Sequence, residues 1–228
     1  MLPSSLQSAI ESLSDLPGIG SRSAERLVFN LLRNESGLAR KIGEHLVVLK
    51  DKIIECDRCC NYTELCTEGI PSHKINHQAD KPRISNLEPQ TSLCPICQQS
   101  KRNPRLLCIV ETPVDLVAIE RTHEYKGYYH VLHGIISPLK RIGPDNLRIK
   151  ELFNRDLSQV EEIILATSAS TESEATAMYL ADKFEQYFAG SERQPRVSRL
   201  ARGIPSGGDL DYLDAGTLSR AIMDRRDF

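Results

Sequence analysis

Four cysteines stand in two tight pairs, CDRC at 56–59 and CPIC at 94–97. A C-x-x-C knuckle places two sulfurs on one side of a turn. Two knuckles supply four thiolates, the donor set of a tetrahedral structural zinc ion. Cys56, Cys59, Cys94 and Cys97 are therefore the expected ligands of one structural Zn2+ per chain. The stretch between the knuckles offers other donors: Cys60, Cys66, His73 and His77. Cys108 lies in the apolar run LLCIVE and reads as a core residue. The seven cysteines are too unevenly spaced for a disulfide scaffold, which points to a reducing compartment.

The second group is acidic. Glu111 and Asp115 follow the LLCIVE run, and Glu172 and Glu174 follow EIILAT. Carboxylates at the C-terminal ends of parallel strands are where sites in such sheets collect. Grouped carboxylates can hold Mg2+ for phosphoryl chemistry. In LATSASTESEATA, residues 165–177, Thr171 and Glu174 also have the spacing of a capping box.

The third group is LPGIGSRSAERL, residues 16–27. Gly18 and Gly20 bracket one apolar residue between two helical runs. Glycine permits a positive φ and leaves backbone N–H groups unshielded, and a helix start beside them makes an anion site. Arg22 and Arg26 lie one turn apart and could hold adjacent phosphates. The stretch resembles the helix-hairpin-helix motif, which grips DNA through its backbone.

These groups need elements to position them. Apolar spacing of three and four predicts helices over 4–14, 22–33 and about 36–54. Periodicity vanishes over 55–105, so that piece needs another source of stability, such as a metal. From 106 onward, strands (LLCIVE, YYHVLH, EIILAT, RVSRLA) alternate with helices (through Leu116 and Ile119, about 145–155, and 172–188). That alternation predicts a largely parallel sheet. A Gly-rich tail ends in a short helix, TLSRAIMDR.

Charge narrows the partners. The formal net charge is −2. Residues 106–195 carry nine basic and fourteen acidic side chains, while the other segments are near balance. The acid excess suits a metal ion or a basic partner better than DNA. No run of some eighteen apolar residues and no signal-like N-terminus are present, so no membrane association is expected and the protein is placed in the cytoplasm.

In order along the chain, the segments resemble those of the RecR family of bacterial recombination mediators. They are LPGIGSRSAERL, the two cysteine pairs, CIVETPVDLVAIERT, YKGYYHVLHGIISPLKRIGP, EIILAT, EATAMYLA and RLARGIPSGGDLDYLDAGTL. The resemblance implies an α+β multidomain chain. Residues 1–54 would be the DNA-binding helix-hairpin-helix domain, and 55–105 a four-cysteine zinc finger carrying a long inserted loop. Residues 106–200 would be an α/β Toprim domain with a mostly parallel sheet. Residues 201–228, with Gly203, Pro205, Gly207 and Gly208, would help join subunits. It further implies a ring-like homotetramer that can encircle DNA. The ring would act in the cytoplasm at the nucleoid, with RecO and RecF, to place RecA on single-stranded DNA coated by SSB.

Two departures from the family pattern stand out. The cysteine pairs of relatives lie close together, whereas thirty-four residues separate Cys59 from Cys94 here. In catalytic Toprim enzymes an Asp-x-Asp follows the strand, but Ser168 and Ser170 occupy those positions here, followed by Glu172. Serine is not ionised near neutral pH, so Mg2+ and catalytic residues are not expected. The family usually has Asn where Ser168 stands and Gly where Ser173 stands, so a shifted turn is expected. Glu111, Asp115, Glu172 and Glu174 then read as a former metal site kept for docking a basic face of RecO.

Overall fold

The computed structural model describes residues 2–34, 36–65, 75–76, 83–84, 92–191, 193–201, 203–205 and 207–225. The chain divides into two compact units, residues 1–53 with 75–83 and residues 54–74 with 84–228. The first unit opens with α1 (Ser4–Ser14), α2 (Ser21–Arg33) and α3 (Leu38–Lys52), the three helices expected from apolar spacing. Ala24 and Val28, one turn apart on α2, are buried, and α1 and α3 bury no residue fully. Leu32, Leu46 and Val47 stand 66%, 61% and 64% exposed.

Ile53, expected as the last apolar position of the third helix, is instead extended at φ −92° and ψ 125°. Its β-branched pair with Ile54 fits a pleated surface better than a helix end. It opens β1 (Ile53–Glu55), which pairs with β2 (Tyr62–Glu64). A second small ladder joins β3 (Ile75–Asn76) to β4 (Arg83–Ile84), inside a stretch expected to lack regular structure.

The α/β part follows as β5 (Asn103–Val110), α4 (Pro113–Glu120), β6 (Gly127–Val131), α5 (Ile149–Phe153), β7 (Glu162–Ala166), α6 (Thr171–Tyr187), β8 (Arg196–Arg199) and α7 (Ala215–Met223). Its sheet has the order β6-β5-β7-β8, and every pairing is parallel. Alternation along β5 sends Leu107 and Ile109 to one face, where they meet Leu180 and Phe184 of α6. Cys108 and Val110 go to the other face, against Leu116 of α4 and Tyr129 of β6. Burial pushes the Cys108 thiol up to about 12, which keeps it protonated and inert. Gly127 starts β6 because a Cβ there would lie 2.6 Å from Leu106 O on β5.

The helix expected over 145–155 is broken. A 3-10 turn covers Pro144–Asn146 and the short α5 follows. Arg148 between them has ψ 41°, and its N–H donates to Leu132 O at 3.0 Å instead of within a helix. Its guanidinium forks onto Glu55, both bonds 2.8 Å long. A contact 93 residues away in sequence thus outweighs local helix periodicity.

Candidate functional site

Cys56, Cys59, Cys94 and Cys97 are all buried, and their sulfurs lie within 4.8 Å of one another. Among the described residues they form the one cluster with metal-ligand geometry. Cys59 Sγ is 3.5 Å from Cys94 Sγ. A tetrahedron with zinc–sulfur bonds of about 2.3 Å has edges of about 3.8 Å, so the spacing fits. Each knuckle closes on itself: Cys60 N–H donates to Cys56 O (2.9 Å) and Gln98 N–H to Cys94 O (3.1 Å). Cys94 N–H donates to Cys56 Sγ at 3.2 Å, the kind of bond that steadies a thiolate ligand. Hydrogen bonds from the thiols of Cys59, Cys94 and Cys97 hold the Cys56 thiol far below its ordinary range. The reciprocal bond with Cys56 pushes Cys59 up. The donor set suits a soft tetrahedral ion such as zinc.

The finger is braced from two sides. Ser92 N–H donates to Asp57 Oδ2 at 2.8 Å and Asp57 N–H to Ser92 O at 3.2 Å, so the two knuckles are clasped where the inserted stretch leaves and returns. Val131 N–H donates to Cys59 O at 2.8 Å, which fastens the first knuckle to β6. Tyr128 and Ile96 pack on the cysteines. The Arg58 guanidinium sits 5.4 Å from the Tyr128 ring centroid. Of the alternative donors, Cys60 is buried but outside the cluster, and desolvation pushes its thiol up to about 12. Cys66, His73 and His77 lie outside the described residues.

The glycine hairpin joins α1 to α2. Gly18 has φ +84°, where a side chain would be strained. Gly20 differs from expectation: it is extended at φ −82° and ψ 163°, which any residue could adopt. Its role is space, since nothing lies within 4 Å of where its Cβ would be. Helix α2 starts without a side-chain cap and without an acid in its first turn. Helices α4, α6 and α7 are instead capped by Thr112, Ser170 and Asp214. The first N–H groups of α2 thus keep their capacity for an outside anion. Arg22 and Arg26 are exposed one turn apart and form no ion pair among the described residues.

The acidic residues lie at the C-terminal edge of the parallel sheet, but each already has an internal donor. Glu111 accepts from Ser168 N–H at 2.7 Å. Asp115 accepts from Thr112 N–H (2.8 Å) and Oγ1–H (2.7 Å), completing a capping box on α4. Ser137 Oγ–H donates to Glu172, and Arg199 pairs with Glu174. All four stay partly exposed.

The capping box expected at Thr171 is absent. Ser170 is the N-cap of α6 and accepts from Ser173 N–H at 3.1 Å, because its extended backbone (φ −70°, ψ 157°) leaves Thr171 as the first helical residue. Ser173 therefore lies within the first turn of α6 and needs no positive φ. Its buried hydroxyl hydrogen-bonds Ser168 Oγ at 2.7 Å and accepts from Ser170 at 2.8 Å. The loop is closed by hydroxyls where a cation would need carboxylates. A sequence reading could have found the α4 box in TPVD, a threonine before Pro113 with an acid three on.

Together these features define a class of protein: a helix-hairpin-helix unit, a four-cysteine finger and a Toprim sheet on one chain. Residues 6–49 match the family model of the RecR helix-hairpin-helix, residues 105–201 that of the Toprim domain, and residues 203–226 that of the RecR C-terminal region. The recombination protein RecR of Myxococcus xanthus (strain DK1622) is 40% identical over 228 residues, the whole of both chains. That of Gloeobacter violaceus (strain ATCC 29082 / PCC 7421) is 43% identical over 219 residues, 96% of this chain and 95% of the relative. That of Dehalococcoides mccartyi (strain ATCC BAA-2100 / JCM 16839 / KCTC 5957 / BAV1) is 42% identical over 220 residues, 96% and 92% of the two chains. The chain belongs to the RecR family of recombination proteins, whose role is recombinational repair. No helix among the described residues is long and apolar enough to cross a membrane.

Proposed function

We propose that this chain is a non-enzymatic DNA clamp of recombinational repair, acting with RecO and RecF to load RecA on single-stranded DNA coated by SSB. The observation that carries the reading is the uncapped start of α2 behind Gly18 and Gly20, flanked by the free cations Arg22 and Arg26. Backbone N–H groups and two arginines contact phosphates without reading bases, so binding is weakly sequence-specific and salt-sensitive.

The division of labour follows the four segments 1–54, 55–105, 106–200 and 201–228. The first holds DNA. The second keeps its shape through one Zn2+ on Cys56, Cys59, Cys94 and Cys97. The third recruits partners, and the fourth helps join subunits into a ring-like homotetramer at the nucleoid. Self-association is supported by the apolar side chains left in water, Leu32, Leu46 and Val47 on the helical unit and Tyr212, Ile222 and Met223 near the C-terminus.

Glu111, Asp115, Glu172 and Glu174 serve as the docking edge for a basic face of RecO. A carboxylate has capacity for about four hydrogen bonds, so their internal donors leave room for an outside cation. Charge reversal at Glu111 and Asp115 abolishes RecO capture in a pull-down and leaves the sedimentation of the ring unchanged. Undiminished capture refutes the docking role.

Catalysis is tested directly. Supercoiled plasmid is incubated with the purified chain, with and without Mg2+ or Mn2+. The expected result is a shifted band on a native gel and covalently unchanged DNA. Metal-dependent nicking that disappears in Glu111→Gln would make the chain a Toprim nuclease instead.

A further inference from the structure

We infer that the hairpin of residues 137–142 is a second contact for the nucleic-acid backbone, with Lys140 and Arg141 as its phosphate-binding cations. This rests on the DNA-binding reading above and adds a site that the helix-hairpin-helix does not contain.

The hairpin is rigid. Ser137 and Ile142 exchange both backbone bonds at 2.9 Å, and Arg141 N–H closes the turn on Pro138 O at 3.1 Å. Lys140 N–H donates to Ser137 Oγ at 3.3 Å. Its base is fixed to α6: Ile136 N–H donates to Thr176 Oγ1 at 2.9 Å, and Ser137 donates to Glu172. Ser137 and Thr176 are both fully buried. Such anchoring holds the tip in one place without help from a ligand.

The tip is what this scaffold displays. Leu139 is 93% exposed, and Lys140 and Arg141 are exposed beside it. Arg141 has φ 55°, a left-handed conformation that glycine adopts freely and arginine does not. A strained residue held by a well-bonded turn points to use of its side chain. Neither cation has a carboxylate partner among the described residues. Elsewhere in this unit Arg102, Arg105, Arg148, Lys150, Arg193 and Arg199 are each paired. Lys101, Arg121, Lys126 and Arg196 have no ion pair among the described residues but do not share the hairpin's fixed, projecting tip. Glu172, at the base of the hairpin, accepts from Ser137. Two uncompensated cations thus project from a segment that is acidic as a whole.

The shape selects the partner. Peptides are usually taken into grooves or along sheet edges. A convex tip suits a duplex groove or a strand backbone, and an exposed leucine beside the two cations can lie against sugar or base as an apolar wedge.

The test is a salt titration of binding to fluorescent duplex and single-stranded oligonucleotides. It compares the unsubstituted protein, the Lys140→Gln, Arg141→Gly double variant and the Arg22→Glu, Arg26→Glu double variant. The hairpin variant is expected to flatten the log–log salt slope by about 1.8 on duplex, or about 1.4 on single strands, for two lost phosphate contacts. Its thermal midpoint is expected to stay level or rise, because glycine relieves the turn. Unchanged slope and affinity, with binding still dependent on Arg22 and Arg26, overturn this inference and leave the clamp reading intact. Weaker binding with a lowered midpoint makes the hairpin structural and also overturns it. No binding by the unsubstituted protein overturns both readings. Loss of a labelled poly-glutamate peptide with DNA affinity retained reassigns the tip to an acidic protein partner.

Discussion

A chain with Cys59→Ser and Cys94→Ser is expected to bind no zinc and to lose much of the order of its finger. Elemental analysis of the unsubstituted protein is expected to give one zinc per chain, and of the variant none. The apparent binding energy of structural zinc in finger peptides is about 10–16 kcal/mol. The finger here also leans on the sheet through Cys59 O and through Glu55, so part of its order survives without the ion. If only about 4 kcal/mol of the ion's contribution is lost, the midpoint of a chain this size falls by about 8–16 °C. A variant that keeps stoichiometric metal moves the ligand set to other donors. The damage also reaches β6, since Val131 N–H loses a fixed acceptor and Tyr128 its packing surface.

The second large effect concerns DNA. On the clamp reading, Arg22→Glu with Arg26→Glu is expected to remove two phosphate contacts, and it places two anions beside the uncapped start of α2. Charge-assisted hydrogen bonds contribute about 1.5–3 kcal/mol each, so two lost contacts weaken binding by about a hundredfold or more. The salt slope on duplex flattens by about 1.8. Both arginines are exposed, so the thermal midpoint stays where it was. Fluorescence anisotropy across a salt series reads the first two quantities. Retained affinity places the main DNA site elsewhere. A companion pair separates the glycines. Gly18→Ala strains a φ of +84°, whereas Gly20→Ala leaves the fold alone and puts a methyl group where phosphate would approach.

The sequence made much of this legible because burial repeats with the period of each element. Leu107, Ile109, Cys108 and Val110 alternate between two cores, and Leu180 and Phe184 recur along α6 at helical spacing. Cysteine chemistry is legible for another reason: two cysteines three positions apart already specify a knuckle. What could not be read depends on distant partners. Arg148 interrupts the expected helix for Glu55, and Glu111 is held by an amide 57 residues later. Strands of three residues such as β1 and β2 are too short to show a period. The cap of α6 moved by one residue because Ser170 and Thr171 are both competent caps, and the hydroxyl network with Ser168 and Ser173 favours the first.

The clasp between Asp57 and Ser92 makes the finger indifferent to what is spliced between its knuckles. The cysteine cluster is closed below the splice by these two bonds and by the Cys94 N–H on Cys56, so its geometry does not depend on the added length. Each doubling of a flexible connection adds only about 0.6 kcal/mol of closure entropy. An affinity tag or fluorophore grafted there is expected to leave the four-cysteine cluster undisturbed.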